Sequence, residues 1–179
     1  MDEPDDHDLV TRARAGSKEA LAELFSRHWT GAWRAAYGLT GERAMADDVA
    51  QDAFERAIRN LGRFDGRRPF GAWLHRIVVN RAHDVMRRER RFTALDGRAE
   101  EGVEGRQSEA AERAEVRAAI AGLDFDRRAV VVLHYWLGHP LTDVAKILDL
   151  PVGTVHSRMS RALGDLRIRL EVGDAGQPR

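Results

Sequence analysis

A chain of 179 residues without cysteine has neither a disulfide framework nor a thiolate metal site, and 43% apolar content is enough for one large core or two small ones. No apolar run approaches the ~18 residues of a membrane span, and the acidic start MDEPDDHD lacks the basic and apolar parts of a signal peptide, so the cytoplasm is the expected location. The formal net charge is zero, yet it is segregated: net −4 over residues 1–62, +6 over 63–98, −5 over 99–126 and +3 over 127–179. Two basic blocks around an acidic one point to a polyanion partner.

Nearly everything reads as helix. A first helix is expected from about Asp8 to Gly16. A second follows Ser17 as N-cap and buries Leu21, Leu24 and Phe25, then Trp29 and Trp33. A third runs from about Ala44 to Leu61 with the stripe Ala50, Ala53, Phe54, Ala57, Ile58 and Leu61. Its other side carries Asp48, Gln51, Asp52, Glu55, Arg56 and Arg59, a face for a protein partner or for plain solvent. Asp65–Gly66 marks a turn in a loop from Gly62 to Arg68. That loop holds Arg63, Phe64, Asp65, Arg67 and Arg68, a mixture able to hold an unstacked base.

Pro69 opens a fourth helix to about Arg91. One face is Phe70, Trp73, Leu74, Ile77, Val78 and Val85, with Trp73 read as core. The other is a cationic stripe of Arg76, Asn80, His83, Arg87 and Arg91. Residues 92–110 show no helical stripe and read as a flexible acidic linker. The helical pattern returns from Glu109: Val116, Ile120 and Leu123 form one helix, and Ala129 to Tyr135 belong to the next. Val130 to Leu133 is the one β-like stretch, but its flanks are helical. Gly138 and Pro140 break the pattern.

Leu141, Val144, Ala145 and Leu148 form a short helix, and Asp149–Leu150 turns into PVGTVHSRMSRAL, residues 151 to 163. There Val155, Met159, Leu163 and Leu166 are expected to face a core, leaving Thr154, His156, Ser157, Ser160 and Arg161 outward. Short hydroxyls and arginine suit base edges and phosphates. A short helix, a tight turn and a second helix is the arrangement that places its second helix in the DNA major groove. Seven histidines form no HExxH pattern, and no phosphate loop, GxSxG elbow or cysteine nucleophile occurs. No catalytic residue, metal or cofactor is expected.

ADDVAQDAFERAIRNL (46–61), RFDGRRPFGAWLHRIVVNRAHDVMRRERR (63–91) and LTDVAKILDLPVGTVHSRMSRAL (141–163), in this order, resemble bacterial RNA polymerase sigma factors of the extracytoplasmic-function type. The resemblance implies an all-α protein of two small helical domains. Residues 8–91 would be a region 2 domain, 92–110 a flexible linker passing through polymerase channels, and 111–170 a region 4 domain with a helix-turn-helix. It implies that Asp48, Gln51, Asp52 and Glu55 bind the clamp of core polymerase. Phe64, Asp65, Arg67, Arg68, Arg76, Asn80, His83 and Arg87 would recognise and melt the minus-10 element. Thr154, His156, Ser157, Arg158, Ser160 and Arg161 would read the minus-35 element, the same domain touching the polymerase flap. An anti-sigma factor is a further implied partner. His156 stands where similar proteins usually carry arginine or lysine, so a constant phosphate contact would become weak or pH-dependent. The alternatives are a stand-alone helix-turn-helix regulator, which would need two-fold symmetry, and an adaptor that binds polymerase without DNA.

Overall fold

The computed structural model describes residues 5–96 and 108–174, so most of the expected 92–110 linker lies outside the described residues. Within the described residues every regular element is helical, and no helix is long and apolar enough to cross a membrane. Four helices form the first bundle: α1 (Asp6–Arg14), α2 (Lys18–Thr40), α3 (Arg43–Arg59) and α4 (Phe70–Asp96). The second has α5 (Ser108–Ala121), α6 (Phe125–Val131), α7 (Leu141–Leu148) and α8 (Val152–Asp174). The β-like Val130–Leu133 is therefore helical, and α6 continues as a wide π-turn over Val132–Trp136.

Local chemistry sets the ends. The Asp5 carboxylate accepts from the Asp8 amide and the Ser17 hydroxyl from the Ala20 amide, each filling an orphan donor of a first turn. Gly41, at φ 77°, ends α2 in the left-handed conformation that glycine adopts without strain. The third helix stops at Arg59 rather than Leu61, and Leu61–Arg63 tighten into a 3₁₀ turn.

Small residues allow close packing in the first bundle. Ala32, Ala35 and Ala36 of α2 and Ala46, Ala50 and Ala53 of α3 are wholly buried. Phe25 and Ile58, expected in the core, are instead 43% and 49% exposed, the Phe25 ring lying at the surface 4.8 Å from those of Trp29 and Phe54. Trp29 and Trp33 are half-buried, the latter stacked on Tyr37.

The bundles close on each other. The π-turn rests on α2 at Gly38, where even a Cβ atom would lie 2.9 Å from Val132. Tyr37 meets Trp136 edge-on, and Arg34 donates to the Trp136 carbonyl at 2.8 Å. Arg128 is buried, with its guanidinium on the carbonyls of Leu39 (2.7 Å), Leu123 (3.0 Å) and Ala121. Its charge thus serves the carbonyl-rich ends of α2 and α5 together, the sites where a helix favours a cation.

Candidate nucleic-acid interface

The α8 face is built by its own sequence. Val155, Met159 and Ala162 are buried, while His156, Ser157, Ser160 and Arg161 are exposed and Thr154 is half-buried at the helix start. Two expectations are corrected. Leu163 is 43% exposed, because the row at 155, 159, 162 and 166 takes the core and Leu163 lies one step to its side. Arg158 turns back to Asp126 at 2.6 Å, so it joins α8 to α6 rather than the outward face. Ahead of the helix, Asp149 adopts φ 58° and its amide bonds to the Ala145 carbonyl, which makes the tight turn.

The loop before α4 divides into a buried root and an exposed crest. Phe64 is buried against Phe70 and Trp73, with ring centres 5.7 and 5.2 Å away. It therefore supports the loop and does not present a ring to a base. Asp65, Gly66 and Arg67 are exposed, and the Asp65 carboxylate accepts from the Arg67 amide at 3.0 Å, a local turn bond. A cleft of about 380 Å³ lies between this crest and the start of α1, lined by Asp5, His7, Arg67, Arg68 and the rims of Phe64 and Phe70.

On α4, Phe70, Leu74, Val78 and Ala82 are buried, and Asn80, His83, Arg87 and Arg91 are exposed as the spacing requires. Part of this stripe is occupied by the second bundle. Arg76 pairs with Asp149 at 3.1 Å, Arg68 donates to the Lys146 carbonyl at 3.1 Å, and the His83 ring lies 5.0 Å from that of Phe125. Asn80 and Arg87 stay open to solvent.

Behind the stripe, His75 is buried and its Nδ1 lies 2.9 Å from His139 Nε2 of the other bundle. Its Nε2 faces the Gly31 backbone, whose carbonyl is the available acceptor. Burial first, then the neighbouring His139 and His28, lowers the His75 pKa to about 4. Burial also lowers that of His139, partly offset by Asp143. Among the described residues no three His, Asp or Glu side chains are grouped to hold a metal ion.

The polar face of α3 leaves Asp48, Gln51 and Glu55 exposed. Asp52 is different: Arg81 of α4 grips it through Nε at 2.6 Å and Nη2 at 2.5 Å, so this carboxylate joins two helices. Sequence reasoning missed Arg81, Arg128 and the His75–His139 contact. Arg81 sits off the outward stripe by its helical position, which is the signal that could have found it; the histidines are 64 residues apart and carry no local signal.

Known proteins match in two blocks. The Sigma-70 region 2 family matches residues 12–92, and the Sigma-70 region 4 family matches residues 113–166. The RNA polymerase sigma factor CnrH of Cupriavidus metallidurans is 33% identical over 94% of this chain and 96% of its own length. The ECF RNA polymerase sigma factor SigM of Mycobacterium tuberculosis is 33% identical over 89% of this chain and 82% of its own. Among solved structures, CnrH in complex with the cytosolic domain of CnrY superposes with a TM-score of 0.73 at 31% identity, covering 96% of this chain and 99% of that one. The sigma factor RpoE in complex with the anti-sigma factor NepR, from Bartonella quintana, gives 0.71 at 26% identity, covering 84% and 96%.

Proposed function

This chain belongs to the bacterial RNA polymerase sigma factors of the extracytoplasmic-function type, and from that premise we propose how its faces divide the work. It is a transcription initiation factor that binds core RNA polymerase and directs it to promoters. We assign residues 8–91 to polymerase binding and to the minus-10 element, 92–110 to the linker and 111–170 to the minus-35 element. The work is binding, carried out in the cytoplasm where the polymerase is, and no catalytic step is assigned.

Asp48, Gln51 and Glu55 form the polymerase-facing patch, with Asp52 shaping it through Arg81. Asp65, Arg67 and Arg68 on the loop, with Arg76, Asn80, His83 and Arg87 on α4, take the minus-10 strand, and Phe64 braces the loop from behind. Thr154, His156, Ser157, Ser160 and Arg161 read the minus-35 duplex, with Arg158 bracing α8 against α6. The observation that carries this reading is that one chain presents two polar, cationic faces on separate bundles. Each offers only a few phosphate contacts, so each alone binds modestly and loses affinity with salt. Polymerase holds both in register and makes the second contact local. Capture of an unstacked base opposes the few kcal/mol that unstacking costs.

Arg68, Arg76 and His83 cannot hold the second bundle and the strand together, so promoter loading separates the bundles. An anti-sigma factor is a further partner, as the complex of the relative RpoE with the anti-sigma factor NepR supports. Run-off transcription with core polymerase on a library of GC-rich promoter fragments tests the proposal. New start sites that require this protein are expected. Duplex binding without polymerase and without new starts would instead establish a stand-alone regulator.

A further inference from the structure

A loop that reads a strand binds best when its shape exists beforehand, because ordering it on contact is subtracted from affinity. Within the crest at Asp65–Arg67 the contacts are local: the Asp65 carboxylate accepts from the Arg67 amide and lies 3.6 Å from the Arg67 guanidinium. Its stem is held from far away in the sequence. Arg14, in the last turn of α1, places Nε 3.1 Å and Nη2 2.9 Å from the Leu61 carbonyl, and the same Nη2 donates to the Phe64 carbonyl. These two carbonyls bracket the 3₁₀ turn and mark the point where the chain leaves for the crest. A planar guanidinium fork serves both at once, whereas a lysine ammonium cannot keep that geometry. The frame behind Arg14 is firm, since Leu9, Val10 and Ala13 of α1 are buried. At its other end α1 meets the crest itself: a Cβ on Gly66 would lie 3.3 Å from His7 Nδ1.

We propose that Arg14 is a positioning residue for promoter reading: by clamping the Leu61 and Phe64 carbonyls it fixes the stem from which Asp65, Arg67 and Arg68 meet the minus-10 strand. This rests on the reading above that the loop binds that strand. α1 is then part of the promoter-reading machinery without touching DNA.

The test uses reconstituted holoenzyme with the wild type, Arg14→Ala, Arg14→Lys, Arg67→Ala and the double variant Arg14→Ala/Arg67→Ala. Binding is measured to a non-template oligonucleotide carrying the minus-10 element of a promoter this protein uses, and to its single-base variants. Arg14→Ala is expected to reduce discrimination between them by about ten-fold, with affinity for core polymerase and for minus-35 duplex unchanged. Arg14→Lys should fall between, and the double variant should lose little more than Arg67→Ala, because both act through one loop. Equal losses on polymerase, minus-35 duplex and minus-10 strand would mean a merely structural role and overturn the proposal. Full discrimination in Arg14→Ala with loss in Arg67→Ala would overturn the Arg14 assignment alone. No effect of Arg67→Ala would overturn the loop reading, and the Arg14 assignment with it.

Discussion

The two helices proposed to meet DNA carry similar chemistry in different circumstances. On α8, His156, Ser157, Ser160 and Arg161 stand in solvent, and the anchors beneath them, Val155, Met159 and Ala162, lie within two turns of the same helix. On α4, Arg76 and His83 are engaged by the other bundle and Arg68 beside them is tied to Lys146, while Asn80 and Arg87 are free. On the proposed assignment, the closed protein thus leaves the minus-35 face open and the minus-10 stripe partly covered. With melting assigned, as proposed, to the minus-10 stripe, the covered face is the one whose release would gate the reaction, and the open face would sample duplex without committing to it.

The difference can be sharpened first through pH. An unfolded chain takes up a proton on histidine near pH 6.5, whereas His75 in the closed protein does so only at about 4. The native state is therefore fully favoured above about 6.5 and loses stability as pH falls toward about 4, by about 3 kcal/mol from this group. Melting curves at a series of pH values on wild type and His75→Gln should show that part of the slope vanish in the variant. An unchanged slope would remove the histidine seam from the account.

Next comes a wedge. Gly38→Leu has no room against Val132, and overpacking of this kind costs about 1–3 kcal/mol. Spent at the seam, it should raise the free protein's affinity for minus-10 single strand by about ten-fold while leaving minus-35 duplex binding unchanged, both read by fluorescence anisotropy. A gain on both DNAs, or on neither, would break the distinction between covered and open faces.

The smallest effect is expected from Asp149→Asn. Asparagine tolerates the left-handed backbone at this turn, so only the ion pair to Arg76 is lost. An exposed pair contributes under about 1 kcal/mol, so the same strand-binding assay should rise about two- to three-fold, less at high salt. A change as large as that of Gly38→Leu would mean that charge, not packing, closes the seam.

What could be read in the sequence follows the same division. Ser17 as a cap, the Asp149–Leu150 turn and the exposed face of α8 are set by residues within a few positions, and local spacing reveals them. The stripe on α4 was equally legible as a pattern, but not its occupancy, because Asp149 and Phe125 arrive from another bundle. Phe64 reads as part of the strand-binding loop because a loop aromatic looks alike in sequence whether it points outward or, as here, into a cluster. The sequence places Asp52 with the polymerase-binding residues and Arg158 with the minus-35 residues, and cannot show that Arg81 and Asp126 hold them. Leu163 lost its expected place to Ala162 because helical spacing fixes a stripe only to within a neighbouring position.

The division of labour is tested most directly by permanganate footprinting of promoter complexes formed with Asn80→Ala and Arg161→Ala at saturating holoenzyme. Asn80→Ala should occupy the promoter yet leave the minus-10 thymines unreactive, and Arg161→Ala, once bound, should open them like the wild type. Equal opening defects in the two variants would contradict the assignment of melting to α4 and of anchoring to α8.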